Sequence, residues 1–279
     1  MEKEKKFSAC SAKVHCLTNP VSMQDVANIL LAAGGSAIMA QEEAEAAQIT
    51  ALCQATLLNT GVPSDEKFRA CAAAGKAANA LGHPVILDPV GVGASDFRKE
   101  KMGWLLEQVP PTIIRCNPEE AQTLLQLWKG GAESKVRPET KSGSPAPPES
   151  GILSGGVESA LAPDTAERRE IARRLALAYG CVVCLSGDMD AISDGSRIEV
   201  CSGGDKRMAR ITGSGCMLSA LCAFFAGSGM KPYEAACTAA AVWKESARQA
   251  GLRTDRTGGG IGSFHGYLFD EAERLCCLS

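Results

Sequence analysis

The chain has 279 residues, 45% of them hydrophobic and 22% charged, with a formal net charge of -3. That balance suits a soluble globular protein and leaves no basic stripe for nucleic acid. The opening MEKEKKFSAC lacks the apolar core of a secretory signal, and no run approaches the roughly 18 apolar residues of a membrane span. A cytoplasmic protein with a small-molecule partner, and with neither nucleic acid nor membrane, is expected.

In chain order, apolar strand patterns alternate with helical ones. KVHCLT (13–18) reads as a strand, and Ser22 opens a helix with Asp25 three residues on as a variant capping box. SAIMA (36–40) is a short strand before a helix over roughly 43–54, and ATLLN (55–59) is the next strand. Ser64 caps an alanine-rich helix to about Leu81, PVILD (84–88) is a strand, and a helix near 96–108 leads to strand TIIRCN (112–117). Pro118 suits the first position of a helix to about Trp128. The stretch from about 130 to 163 is rich in Pro, Gly and Ser without period and reads as a disordered insertion in an otherwise single domain spanning 1–279. After it come a helix (165–179), a strand (181–186), a hairpin turned at Asp194-Gly195, and ITGSGC opening a helix to about Ala226. A helix from Pro232 to Gln249 and a last helix after GGGIGSF finish the chain.

This order predicts an α/β protein with a mainly parallel sheet and helices on both faces. Thirteen cysteines without a secretory signal read as free core thiols. Cys181 and Cys184 are three apart on a strand, so they point to opposite faces rather than forming a metal or redox pair. His15, His83 and His265 fit no metal pattern and read as structural.

In such sheets ligands bind beyond the carboxyl ends of the strands. Those ends carry Asn19, Met39, Asn59-Thr60-Gly61, Asp88-Pro89, Arg115-Cys116-Asn117, Ser186-Gly187-Asp188 and Gly213. The GSGC turn pairs flexible glycines with a helix N-terminus, a ready anion site, although a plain tight turn would look the same. Asp88 and Glu120 could serve a nucleotide-bound Mg²⁺; equally, Asp88 could cap its own loop and Glu120 its helix. Arg115 beside them is a natural phosphate partner. Together these suggest phosphoryl transfer from ATP.

The ordered stretches VHCLTNPVSMQDVANILLAAGGSAIMA, PVILDPVGVGAS, IIRCNPEE, VVCLSGDMDAISDG and ITGSGCMLSAL closely resemble hydroxyethylthiazole kinases from about Val14 to the C-terminus. The resemblance implies a three-layer ribokinase-like fold without a lid. It also implies transfer of the γ-phosphoryl group of ATP, with Mg²⁺, to the hydroxyl of 4-methyl-5-(2-hydroxyethyl)thiazole in thiamine salvage, by a homotrimer with active sites at subunit interfaces. By motif, Cys216 matches the catalytic cysteine, Met39 and Gly213 the thiazole contacts, Arg115 and Ser186 the ATP contacts, and Asp88 and Glu120 the acidic residues near Mg²⁺. Related hydroxymethylpyrimidine kinases and nucleotide-hydrate dehydratases usually carry aspartate where Cys216 stands. The chain departs from the pattern at Cys116, where the family usually has glycine and a side chain would crowd the phosphates; this is the one feature that favours a non-catalytic binder. Ser214, Ser186 and Asp188 are mild changes. The helix start at Cys216 is expected to lower its pKa, making thiolate accessible near neutral pH.

Overall fold

The computed structural model describes residues 11–133 and 165–277. Its strands are β1 (Lys13–Leu17), β2 (Ser36–Ile38), β3 (Ala55–Asn59), β4 (Val85–Asp88), β5 (Ile113–Cys116), β6 (Val182–Leu185), β7 (Asp190–Ser193) and β8 (Ile198–Cys201). They form one sheet in the order β2-β1-β3-β4-β5-β6-β7-β8, parallel from β2 to β6 and antiparallel through the β6-β7-β8 hairpins. The central strand ATLLN is buried at every residue, as cover on both faces requires.

The helices are α1 (Met23–Ala32), α2 (Glu43–Ala51), α3 (Asp65–Leu81), α4 (Asp96–Gln108), α5 (Pro118–Glu133), α6 (Thr165–Tyr179), α7 (Ser214–Gly227), α8 (Pro232–Thr257) and α9 (Ile261–Cys277). One face of the sheet packs α1, α7, α8 and α9 through Ile29, Phe224, Trp243 and Phe264. The other packs α2 to α6 through Ala46, Phe68, Met102, Leu124 and Leu175. This is the three-layer α/β architecture that alternating strand and helix patterns demand. Helix α7, SGCMLSALCAFFAG, is apolar all round because it lies wholly inside its layer.

Local signals set most boundaries. The Ser64 hydroxyl accepts the Lys67 amide at 3.1 Å, and Gly82 closes α3 in the left-handed conformation. At Asp194-Gly195 the side chain of Asp194 accepts the amides of Ser196 and Arg197, forming the expected hairpin turn.

Some expectations fail. Ser22 precedes α1 but makes no capping bond; the Asn19 side chain takes the amides of Val21 and Ser22 instead. Asp25 does not complete a capping box and lies 3.2 Å from Nε2 of His265 on α9. Helix α8 runs to Thr257 rather than Gln249, because Ala250 and Thr254 are buried and only Gly258 supplies a left-handed stop. Helix α5 likewise continues to Glu133, so residues 130–133 of the expected insertion are helical; the remainder of that segment lies outside the described residues.

Cys181 and Cys184 do part to opposite faces, one in each core, and both are free. His15 is structural: its Nε2 faces the Ala40 carbonyl at 2.9 Å, so that nitrogen carries the proton and Nδ1 accepts from Thr50. Truncating Phe224 to Ala at the centre of α7 is expected to cost about 3–5 kcal/mol, read as a lower urea midpoint at unchanged slope.

Candidate active site

The carboxyl ends of β1, β3, β4, β5 and β6 converge on the N-terminus of α7. At the centre is Asp88, the last residue of β4 and fully buried. Its Oδ2 accepts from Asn59 Nδ2 at 2.7 Å and from Ser219 Oγ at 2.9 Å, and its Oδ1 lies 3.4 Å from Arg115 NH1. A carboxylate taken out of water needs hydrogen-bond partners, and these three groups supply them.

Arg115 faces the site because β5 alternates: Ile113 and Arg115 project to one face, Ile114 and Cys116 to the other. Its NH2 donates to Ser186 Oγ at 2.6 Å across the β5–β6 pair. A methyl on Gly215 would lie 2.3 Å from the guanidinium nitrogens, so the cation rests against the first turn of α7 only because that residue is glycine. Burial pulls the guanidinium pKa down, but the charges of Asp88 and Glu120 outweigh it and raise the pKa overall. Arg115 Nε is buried without a partner. The guanidinium and the helix N-terminus both present positive potential to one place.

Glu120 forms a reciprocal capping box with Asn117: Oε2 accepts the Asn117 amide at 2.8 Å, and Asn117 Oδ1 accepts the Glu120 amide at 2.9 Å. Its Oε1 accepts the Gly91 amide at 2.9 Å, tying the loop after β4 to α5. Burial raises its pKa despite Arg115. Among the described residues no three His, Cys, Asp or Glu side chains are grouped to hold a metal.

Cys216 is 7% exposed in the first turn of α7, behind Gly213, whose φ of 81° makes the turn. Its sulfur receives Asn59 Nδ2 at 3.2 Å and Asn19 Nδ2 at 3.8 Å. The direction of both amides is set by backbone donors: Gly61 N–H requires Asn59 Oδ1, and the amides of Val21 and Ser22 require Asn19 Oδ1. Asn19 Nδ2 also donates to Asn59 Oδ1 at 2.9 Å, which links the pair. The expected thiolate is overturned: burial first, and then the negative charge of Asp88, push the thiol up to about 11. The Ser22 side chain, Arg115 and the Asn59 amide oppose that rise only partly.

Comparisons with known proteins decide the family. The model of the "Hydroxyethylthiazole kinase family" matches residues 5–135 and 150–277. The chain belongs to the hydroxyethylthiazole kinase family. A hydroxyethylthiazole kinase of Lysinibacillus sphaericus is 35% identical over 247 residues, covering 88% of this chain and 86% of its own. One from Clostridium botulinum is 37% identical over 257 residues, covering 92% and 84%. The solved structure of the hydroxyethylthiazole kinase protein of Pyrococcus horikoshii superposes with a TM-score of 0.75 at 27% identity, covering 94% of this chain and 88% of that one. A Bacillus subtilis NAD(P)H-hydrate dehydratase co-crystallised with ATP/Mg²⁺ shares the fold alone, with a TM-score of 0.57 at 15% identity.

In this family member Asp88, Arg115, Ser186, Gly213 and Cys216 gather at one place, with Glu120 bracing its rim through backbone amides. Met39 lies just past the edge strand β2, partly buried against the core that holds α1 and α7. Cys116 is fully buried in the opposite core, so its side chain points away from the site rather than crowding phosphates there. Asn59 was among the strand-end residues read from the sequence but was given no role there, and Ser219 was missed. Ser219 lies one helical turn beyond Gly215, a spacing that could have flagged it. Cys116→Gly is expected to leave nucleotide affinity unchanged while costing about 1–3 kcal/mol, from lost apolar burial and the strand glycine; calorimetric titration and a thermal melt check the two parts.

Proposed function

We propose that the protein transfers the γ-phosphoryl group of ATP to the hydroxyl of 4-methyl-5-(2-hydroxyethyl)thiazole, serving thiamine salvage. The observation that carries this reading is the convergence of Arg115, the Gly213–Gly215 turn and the amide-held Cys216 at one point beyond the strand ends, in a member of this family.

The phosphates of ATP take the place where two positive potentials meet: the Arg115 guanidinium, steadied by Ser186, and the amides that open α7. Stabilising charge on a transferring phosphoryl group by prearranged donors is the main catalytic effect available here. Among the described residues no cage of protein ligands is grouped, but Asp88 Oδ1 and the remaining lone pairs of Glu120 fit a Mg²⁺ held chiefly by phosphates and water. When bound, the ion neutralises charge developing on the phosphates. The thiazole alcohol lies toward Cys216 and Gly213, with Met39 and the Asn19 loop as its apolar and polar walls.

Cys216 holds the substrate hydroxyl rather than deprotonating it. A thiol whose pKa is near 11 is almost wholly protonated at neutral pH, and the alcohol oxygen is itself the nucleophile, so no phosphocysteine forms. Proton removal by a positioned base contributes about 10²–10⁴-fold. Cys216→Ala is therefore expected to reduce kcat by less than about 10²-fold, with Cys216→Asp remaining active. A loss of the full general-base size in the Ala variant sinks the orienting role. The reading as a whole is tested by incubating the protein with ATP, Mg²⁺ and the thiazole alcohol and weighing the product for the phosphate ester.

A homotrimer with sites at subunit boundaries fits the open β2 edge beside Met39 and two apolar side chains left in solvent past β1 and β3, Val21 at 63% and Val62 at 54% exposed. Light scattering should return the mass of three chains, and Val21→Asp with Val62→Asp should return the mass of one.

A further inference from the structure

Lys67 stands in the first turn of α3 and is 7% exposed. The position is unfavourable for a lysine on three counts. A cation at a helix N-terminus opposes the dipole. A buried ammonium loses hydration. It forms no ion pair among the described residues, its Nζ meeting only two carbonyls, Thr18 O at 2.9 Å and Gly61 O at 2.5 Å. Burial accordingly brings its pKa down to about 8.

The two carbonyls explain why it is there. Thr18 directly precedes Asn19, and Gly61 lies two residues past Asn59, so one ammonium joins the β1–α1 loop to the β3–α3 loop. The Gly61 peptide is held from both sides, its N–H on Asn59 Oδ1 and its carbonyl on Lys67. A methyl on Gly61 would sit 2.8 Å from Asn19 Nδ2, which shows how closely the loops are drawn together. The next residue, Val62, has φ 49°, a strained conformation for a β-branched residue that persists only where its surroundings impose it.

We propose that Lys67 is a positioning residue for the acceptor side of the phosphotransfer, clamping together the two loops whose asparagines set the Cys216 sulfur; this rests on the kinase reading above. Lys67 acts through Asn19 and Asn59 and leaves the Arg115 half of the site alone. The charged or titratable groups around it are Cys71 on its own helix, Cys216 on α7, Asp88 on β4 and Arg98 from α4.

The test compares the wild type with Lys67→Met and Lys67→Arg in the full chain. Lys67→Met should lower kcat/KM for the thiazole alcohol by about tenfold or more, a loss confined to that substrate, with KM for ATP within about twofold. Its melting temperature should change little, because relief of the buried charge offsets the two carbonyls left without their donor. Lys67→Arg, which keeps a cation on the two carbonyls, should recover part of the loss. Wild-type turnover of the alcohol by Lys67→Met, equal losses for both substrates, or no advantage of Arg over Met overturns the role. If Lys67→Met does not fold, the wild type decides. Between pH 7 and 9 Lys67 gives up its proton and its charge-assisted bonds weaken, so kcat/KM for the alcohol should fall while KM for ATP holds. A flat profile overturns the proposal. Absence of any phosphate ester from the wild type is a different result and removes the kinase reading itself.

Discussion

The site depends on satisfying the hydrogen-bonding needs of one carboxylate inside the protein. Asp88 is buried at the end of a central strand, where an unpaired charge would be untenable. Three elements answer it at once: Asn59 from β3, Ser219 from α7 and Arg115 from β5. Satisfying Asp88 therefore fixes how the sheet and the α7 helix meet. Removing one partner of such a pair typically costs about 3–5 kcal/mol, because the other is left charged and buried. The polar cluster is thus both the organising contact of this end of the fold and the source of its chemistry.

Asn59 connects the two halves of that chemistry. Its two amide protons go to Asp88 and to Cys216, and its oxygen takes Gly61 N–H and Asn19. No donor or acceptor on it is spare. A carboxylate of the same shape would lose both donors and face Asp88 with a like charge. In the proposed reading, the phosphate half, with Arg115 and the α7 N-terminus, and the acceptor half, with Cys216 and the asparagine loops, are consequently in fixed register. For transfer of a phosphoryl group between two bound molecules, such register supplies much of the rate.

The negative charge that organises the site also limits the cysteine. Burial and then the charge of Asp88 raise the pKa of the Cys216 thiol, and Ser22, Arg115 and Asn59 offset them only partly. An orienting thiol needs no acidity, and it leaves charge stabilisation to the groups around the phosphates.

Much of this molecule was legible in the chain itself. Apolar runs such as VILD and VVCL announced central strands, Ser64 and Gly82 bounded α3, and strand periodicity sent Cys181 and Cys184 to separate cores, because these depend on neighbours within a few residues. The site was legible as a set of strand-end residues, since parallel α/β topology gathers those ends at one edge of the sheet. Local pattern could not say which of them touch. The face chosen by Cys116, the use of Glu120 as a brace on Gly91, the link from Asn19 to Asn59, and the raised pKa of Cys216 all arise from groups far apart in sequence. Lys67 was invisible for the same reason: read locally it is a surface lysine on an alanine-rich helix, and only the approach of Thr18 and Gly61 makes it a buried clamp. Hydrogen-bond periodicity is written along the chain, whereas charge and burial are properties of the assembled layers.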